Sequence, residues 1–426
     1  MKISKKLFYP LYFFIFVWLF YIFIRGLLIN WESLNEITVL TVFLFICFVI
    51  LCYVLSVCIC ANLKHKIQDI GIKKINKTYY FLQYLSMLYI SLAIIRFLIE
   101  INDLNIELNS LSVSVEARER TMEGSIVSGT FLGISTTLLS GFHILFLMFT
   151  IWMRNKLTSM QLNMSILIFV IGDVCFLFGG GRNAVFISIL MVSMCVYFIK
   201  FANIRKITIN KTGLFVCIFL TMIIFLYIFI ARDEYNGISM IDRLNLNEYN
   251  YNIKFNSILI DLLHSEYKII QLIAYFTMSI VFYLTHSLSI LDSGLTSSLP
   301  ENAYYFGAMQ FYPLVFLINK LGFNIITIKD ILNEWELAGN YSTLLLPLYY
   351  DFGLLWSLIL IMILVFLFVY NAFLLLNSGR FISCVLMSIV GCVFVLSPIY
   401  SFFSLGIFLP IFFSFIVLYT LLKVKL

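Results

Sequence analysis

Apolar residues in this chain run in stretches of about twenty, long enough for a helix to cross the hydrocarbon core of a bilayer. The runs are 8–29, 38–61, 79–101, 126–152, 160–178, 184–201, 212–231, 343–371, 381–400 and 402–422. Two more, 269–291 and 304–321, are interrupted by His286, Asp292, Pro313 and Lys320. They read as re-entrant or interfacial segments, the alternative being that both cross as a pair. The pattern predicts an all-α polytopic integral membrane protein of about ten spans, or twelve with the pair. Either count is even and puts both termini on one side. Three regions follow: 1–231 with spans one to seven, a polar loop over 232–342, and 343–426 with the last three spans.

Composition agrees with the pattern. The 426 residues are 62% hydrophobic and 12% charged, more apolar surface than a soluble domain can hide. Lys and Arg select the orientation. With the amino terminus inside, the inner segments hold Lys2, Lys5 and Lys6; Lys64, Lys66, Lys73, Lys74 and Lys77; Arg154 and Lys156; Lys200, Arg205, Lys206 and Lys211; Arg380; Lys423 and Lys425. Against them stands one acid, Asp69. The large loop then faces outward, and the net charge of +6 reflects topology and gives no reason to expect nucleic acid. The opening MKISKKLFYP resembles a signal-peptide start, but the apolar run after it is too long and lacks an A-x-A site, so it reads as a retained span. The nine cysteines fall in predicted spans and show no metal-ligand spacing. Neither a metal nor a cofactor is predicted.

The outer connections carry the polar chemistry. Residues 102–125 are acidic, with Glu116/Arg120 at helical spacing, and read as a solvated cap. Gly179-Gly180-Gly181-Arg182-Asn183 joins two spans. Glycines free the turn's dihedrals and open its amides, and Arg182 at a helix amino end suits an anion. A tight turn whose Arg reaches to lipid headgroups is the plainer alternative. The large loop holds six basic and eleven acidic residues, ten tyrosines, His264 and His286. Its 257–273 segment has helical spacing of Ile258, Leu259, Leu262, Leu263, Ile269, Ile270 and Ile273, which predicts an amphipathic helix on the outer membrane surface. The tyrosines read as an interfacial belt or as stacking platforms for sugars. No internal repeat or inverted pair of broken helices is evident, which weighs against a secondary transporter.

Ionisable residues inside spans are costly and point to function by default. They are Arg25, Arg96, His143, Asp173 and Asp351. Arg96 and Glu100 form an i,i+4 pair with a structural reading. His143 reads as a hydrogen-bonded packing residue. Asp173, six residues before the glycines, lies roughly 9 Å below them on a helix.

The order of these parts resembles the O-antigen polymerase (Wzy-type) family of oligosaccharide repeat-unit polymerases. The segments that carry the likeness are Gly179-Gly180-Gly181-Arg182-Asn183, Arg232 at the loop's start, Tyr304-Tyr305-Phe306-Gly307 to Phe311-Tyr312-Pro313-Leu314, Asn340-Tyr341-Ser342-Thr343 and Asp351-Phe352-Gly353. The resemblance implies a GT-C-like membrane glycosyltransferase of the bacterial inner membrane, active at the periplasmic face without metal or nucleotide sugar. Its substrates would be undecaprenyl-diphosphate-linked oligosaccharides as donor and acceptor, with membrane lipids around it and a chain-length regulator as a partner.

The residues fit that chemistry. A diphosphate leaving group needs cations at the outer interface, and Arg forks match phosphate. Arg182 and Arg232 are the leading candidates, with Arg243 behind them. An acceptor hydroxyl takes a general base, and Glu248, His264, His286, Glu334 and Glu336 are all candidates. The related ligases carry a His before the residue matching Asn340. This chain has Gly339 there, so activation through the diphosphate alone stays open. Gly180, Gly181, Asn183, Arg243, Tyr304, Asn340 and Asp351 are assigned to substrate binding. A polysaccharide flippase or transporter and an O-antigen ligase are the rival readings. Reporter fusions after Lys74 and after Leu426 are expected to read cytoplasmic and one after Asp242 periplasmic; a cytoplasmic signal at Asp242 inverts the topology.

Overall fold

Inside hydrocarbon every backbone N–H and C=O needs a partner within its own segment, so the apolar runs fold as helices. The computed structural model describes residues 5–29, 34–61, 72–104, 131–178, 182–203, 239–251, 253–296, 305–320, 322–323, 331 and 342–423. Among them there is no strand, only a lone bridge between Ile29 and Phe255. Eight described helices are long and apolar enough to cross a membrane. Seven match predicted runs, within Lys5–Leu27, Glu36–Cys60, Ile75–Asn102, Phe131–Trp152, Ser159–Leu177, Asn183–Phe201 and Leu345–Ser378. The eighth is Lys268–Thr296. The run 212–231 lies outside the described residues.

The first helices are α1 (Tyr9–Leu28), α2 (Glu36–Cys60) and α3 (Ile72–Leu104). Next come α4 (Phe131–Leu139) and α5 (Phe142–Trp152), which share one run, then α6 (Ser159–Phe178) and α7 (Arg182–Phe201). Beyond the loop are α12 (Leu345–Ser378), α13 (Phe381–Leu396) and α14 (Phe408–Lys423). α12 packs on α2 and α13, α13 on α7, and α5 on α3 and α6. Buried aromatics such as Trp18, Phe146, Phe149, Phe198 and Phe381 fill the core between them.

The described polar contacts of the large loop gather at one face of the bundle. There α1 ends and α2 begins. The Leu344 amide donates to the Ser397 carbonyl at 2.9 Å, which brings the start of α12 beside the end of α13. Cys195, late in α7, lies 3.7 Å from Cys384, early in α13. The two helices therefore run antiparallel, and α7 begins at the same face. The large loop also starts its described part here, so this is the loop face.

The loop itself differs from expectation. The 257–273 segment is not one helix. α8 (Met240–Tyr251) is followed by α9 (Ser257–Leu263), a turn, α10 (Lys268–Thr296) and, later in the loop, the short α11 (Tyr312–Lys320). His264 ends α9 with its Nδ1 donating to the Ile260 carbonyl at 2.8 Å. Ser265 then bonds locally, its Oγ accepting from the Tyr267 amide and its carbonyl from Gln271; such side-chain competition breaks helices. Leu259 and Leu263 turn inward to join Ala274, Tyr275 and Met278 in a second core, while Ile258, Ile269 and Ile273 stay exposed.

Likewise His286 and Asp292 do not interrupt 269–291. Both sit inside the continuous 29-residue α10, roughly 43 Å long at helical rise, because each is satisfied where it lies. His286 is buried and its Nδ1 donates to the Phe282 carbonyl at 2.9 Å. Asp292 Oδ1 accepts from the Asn35 amide at 2.8 Å and from Thr38 Oγ1 at 2.6 Å. Fully buried Arg25 donates to the Thr285 carbonyl at 2.7 Å and to Ser289 Oγ at 3.1 Å. Tyr21 meets Ser287 at 2.9 Å, and Ser287 donates to the Pro398 carbonyl at 2.7 Å. A row of polar residues over 285–292 thus joins α10 to the ends of α1 and α2 and to the segment that follows α13.

Interhelical hydrogen bonds in membranes average near 0.6 kcal/mol and reach about 1.7. Asp292→Ala removes two acceptor contacts and is expected to lower the unfolding free energy in detergent by about 1–3 kcal/mol. A denaturation curve identical to wild type would remove this row from the stability of the fold.

Candidate functional site

The best-defined polar site at the loop face is built on a break in a helix. α12 holds Gly353 at φ 69°, ψ 176°, a backbone region nearly closed to residues with a Cβ. The break takes carbonyls just before it out of the helical ladder. A segment from the large loop supplies their donors: the Tyr305 amide reaches the Tyr350 carbonyl at 3.2 Å and the Phe306 amide the Asp351 carbonyl at 3.1 Å. The fully buried Asp351 carboxylate then takes two more amides, Met309 at 3.0 Å and Gln310 at 2.6 Å. Two of the sequence segments singled out above, 304–314 and 351–353, are therefore brought together. Asp351 contacts backbone through both oxygens, so the geometry makes it an anchor for the 305–310 turn.

Short helices make room for that turn. α13 ends at Leu396 and α14 starts only at Phe408, because Ser397-Pro398 cannot continue the helix in register and Ser397 is taken by Trp18 Nε1 at 3.1 Å. Ser401, between them, donates to Gln310 Oε1 at 2.8 Å, and Phe311 packs on Phe403 and Phe408. The turn's tip is Phe306, at φ 46° and 79% exposed. It borders a groove lined by Asp351, Phe352, Gly353 and Trp356. Buried Gln310 Nε2 and Thr343 Oγ1 find no partner among the described residues.

A second polar cluster lies between α5, α6 and α7. Ser188 Oγ is 2.7 and 2.8 Å from the two oxygens of Asp173, and His143 Nε2 is 3.2 Å from Oδ1. His143 is buried, stacked on Tyr89 at 5.3 Å and flanked by Phe169 and Phe176. A Cβ at Gly172 would come within 2.6 Å of its ring, so glycine makes the close approach possible. The packing reading of His143 holds. Arg96 and Glu100 form their pair at 2.8 Å.

The other predicted site residues are dispersed. Gly180, Gly181, Arg232, Tyr304, Glu334, Glu336 and Asn340 lie outside the described residues. Arg182 is the first residue of α7 and Arg243 is in α8. Asn183, the second residue of α7, is half-buried. Glu248, His264 and His286 belong to the α8–α10 assembly, each bonded within it. Glu248 Oε1 accepts from the Phe255 amide at 2.9 Å. His264 is exposed, whereas His286 is only 3% exposed and stacked on Phe282 at 4.9 Å. Sequence reasoning missed Ser188, Gln310 and Ser401. Ser188 stands six residues after Arg182, as Asp173 stands six before Gly179, and that symmetry was the available signal. Comparison of the chain with family models, curated proteins and solved structures gives no match.

Asp351→Ala leaves two buried amides unpaired and is expected to cost about 2–4 kcal/mol. Asp351→Asn keeps one acceptor but turns an NH2 toward an amide, so it rescues only partly. Limited proteolysis should cut near 305–311 faster in the alanine variant, and cleavage at the wild-type rate would show that Asp351 does not hold the turn.

Proposed function

We propose that this chain polymerises oligosaccharide repeat units carried on undecaprenyl diphosphate, at the periplasmic face of a bacterial inner membrane, to make O-antigen or a related surface polysaccharide. The observation that carries the reading is the gathering of polar structure at one face. The broken helix at Gly353, the turn held by Asp351, the row along α10 and the start of α7 at Arg182 all lie there. A transporter needs polar groups along a path through the bundle. A surface transferase needs them at one interface, where a lipid-anchored diphosphate sits.

In this reading the acceptor hydroxyl attacks the anomeric carbon of the donor glycan. The bond from that carbon to the diphosphate oxygen breaks, and undecaprenyl diphosphate leaves. Arg182 and Arg232 bind the leaving diphosphate, where charge builds up in the transition state. A helix start at Arg182 adds favourable dipole and amides. His286 is too enclosed to take the acceptor's proton, and Glu248 is occupied as a backbone acceptor. His264, Glu334 and Glu336 remain as bases, beside the departing phosphate itself. No cofactor takes part.

Arg182→Ala and Arg232→Ala are expected to abolish long chains while the protein stays in the membrane. Arg182→Lys keeps charge but loses the planar fork, and should remain impaired. Losing one charge-assisted contact corresponds to about 1.5–3 kcal/mol, or roughly 10–150-fold in rate. The glycan ladder of the variant strains is the measurement. Loss of long chains with single-unit products retained fits a polymerase, and loss of both indicates a ligase. Normal ladders from both alanine variants at normal expression would remove these arginines from the reaction.

A further inference from the structure

We infer that Asp173 and Ser188 form a register lock that positions Arg182 for anion binding; this rests on the reading of Arg182 given above. α6 and α7 are consecutive helices joined at the loop face, and Arg182 opens α7. Ser188 lies six residues into α7, and Asp173 lies five residues before Phe178, the last of α6. The bond between them therefore lies roughly 7.5 Å from the end of α6 and roughly 9 Å from the start of α7.

The grip is tight and directional. Ser188 Oγ is within 2.8 Å of both Asp173 oxygens and of the Val185 carbonyl. One hydroxyl has one proton for three acceptors, two of them on Asp173. His143, from α5, braces Asp173 from the other side at 3.2 Å. Its buried Nδ1 has no partner among the described residues. Three helices thus converge on one carboxylate. A slide of α7 by one residue moves Arg182 by about 1.5 Å and breaks the Ser188 contact, so the lock selects one depth for the arginine. Misplacement on that scale is enough to impair a bound reactant's alignment.

Ser188 and Asp173 are positioning residues here, and the test asks whether they act through Arg182. The probe is undecaprenyl diphosphate binding to the full-length protein in nanodiscs, for wild type, Ser188→Ala, Ser188→Thr, Arg182→Ala and the Ser188→Ala/Arg182→Ala double variant. Ser188→Ala is expected to weaken binding about tenfold, and Ser188→Thr, which keeps the hydroxyl, to restore most of it. Arg182→Ala should weaken binding at least as much, and the double variant should be no weaker than Arg182→Ala alone. Should Ser188→Ala not reach the membrane, Ser188→Cys, which keeps the side-chain size but is a weak donor, takes its place in the same cycle. Wild-type binding by the lock variant beside weak binding by Arg182→Ala overturns the inference and leaves Arg182 in place. So does a further loss in the double variant equal to the single-variant loss. Wild-type binding by Arg182→Ala overturns the reading of Arg182 and the inference with it.

Discussion

Lipid tails are as apolar as leucine, so burying one apolar helix face against another gains little over leaving it in lipid. Helices in such a solvent are told apart by close packing and by polar bonds. In this protein the polar row from Thr285 to Asp292 supplies that distinction for the large loop. It ties α10 to α1 through Arg25 and Tyr21, to α2 through Thr38 and to the segment after α13 through Pro398. The second core, with α8 and α9, rests on α10. Its other described ties to the bundle are the packing of Ile24 and Ile29 into that core, the Ile29–Phe255 bridge and a 3.4 Å contact from Asn256 to the Leu27 carbonyl. The described loop is therefore held by the polar face of α10 and by the end of α1.

A second dependence follows from helix length. α13 and α14 stop short of the loop face, and the 305–311 turn occupies the space above them. Its backbone takes over carbonyls released by the break at Gly353, and Asp351 takes its amides. Irregular backbone at the edge of a bilayer is tolerated only where protein or water satisfies it. Here each side supplies what the other lacks, so neither the broken helix nor the turn is stable in this form alone. Phe306, held at a positive φ, is presented outward by this arrangement.

The bundle was legible in the sequence because hydrophobic runs report burial in lipid directly. The loop was less so, and particular residues show why. His286 and Asp292 look like breaks in an apolar run, yet each is bonded within the structure, and a sequence does not reveal which polar residues will find partners across helices. The pattern over 257–273 has the right period for one helix, but Ser265 and His264 divert the backbone into a turn, a local competition that periodicity averages away. Asp351 was rightly singled out as a costly charge, but its partners are amides more than forty positions earlier in the chain. Ser188 is an ordinary small residue until it is placed opposite Asp173.

These contacts also narrow what the site can do. A general base must expose a lone pair to the acceptor. Asp351 is buried with both oxygens on amides, Glu248 serves a backbone turn, and His286 is enclosed by Phe282 and Tyr283. The described carboxylates and imidazoles mostly hold structure. Under the proposed reaction, catalysis then shifts toward the leaving group, whose diphosphate is already a weak base and departs more readily when cations meet it. That places the demand on where the arginines stand more than on a proton acceptor. It gives a physical reason for the start of α7 to be backed by a bonded Ser–Asp–His cluster rather than by apolar packing alone.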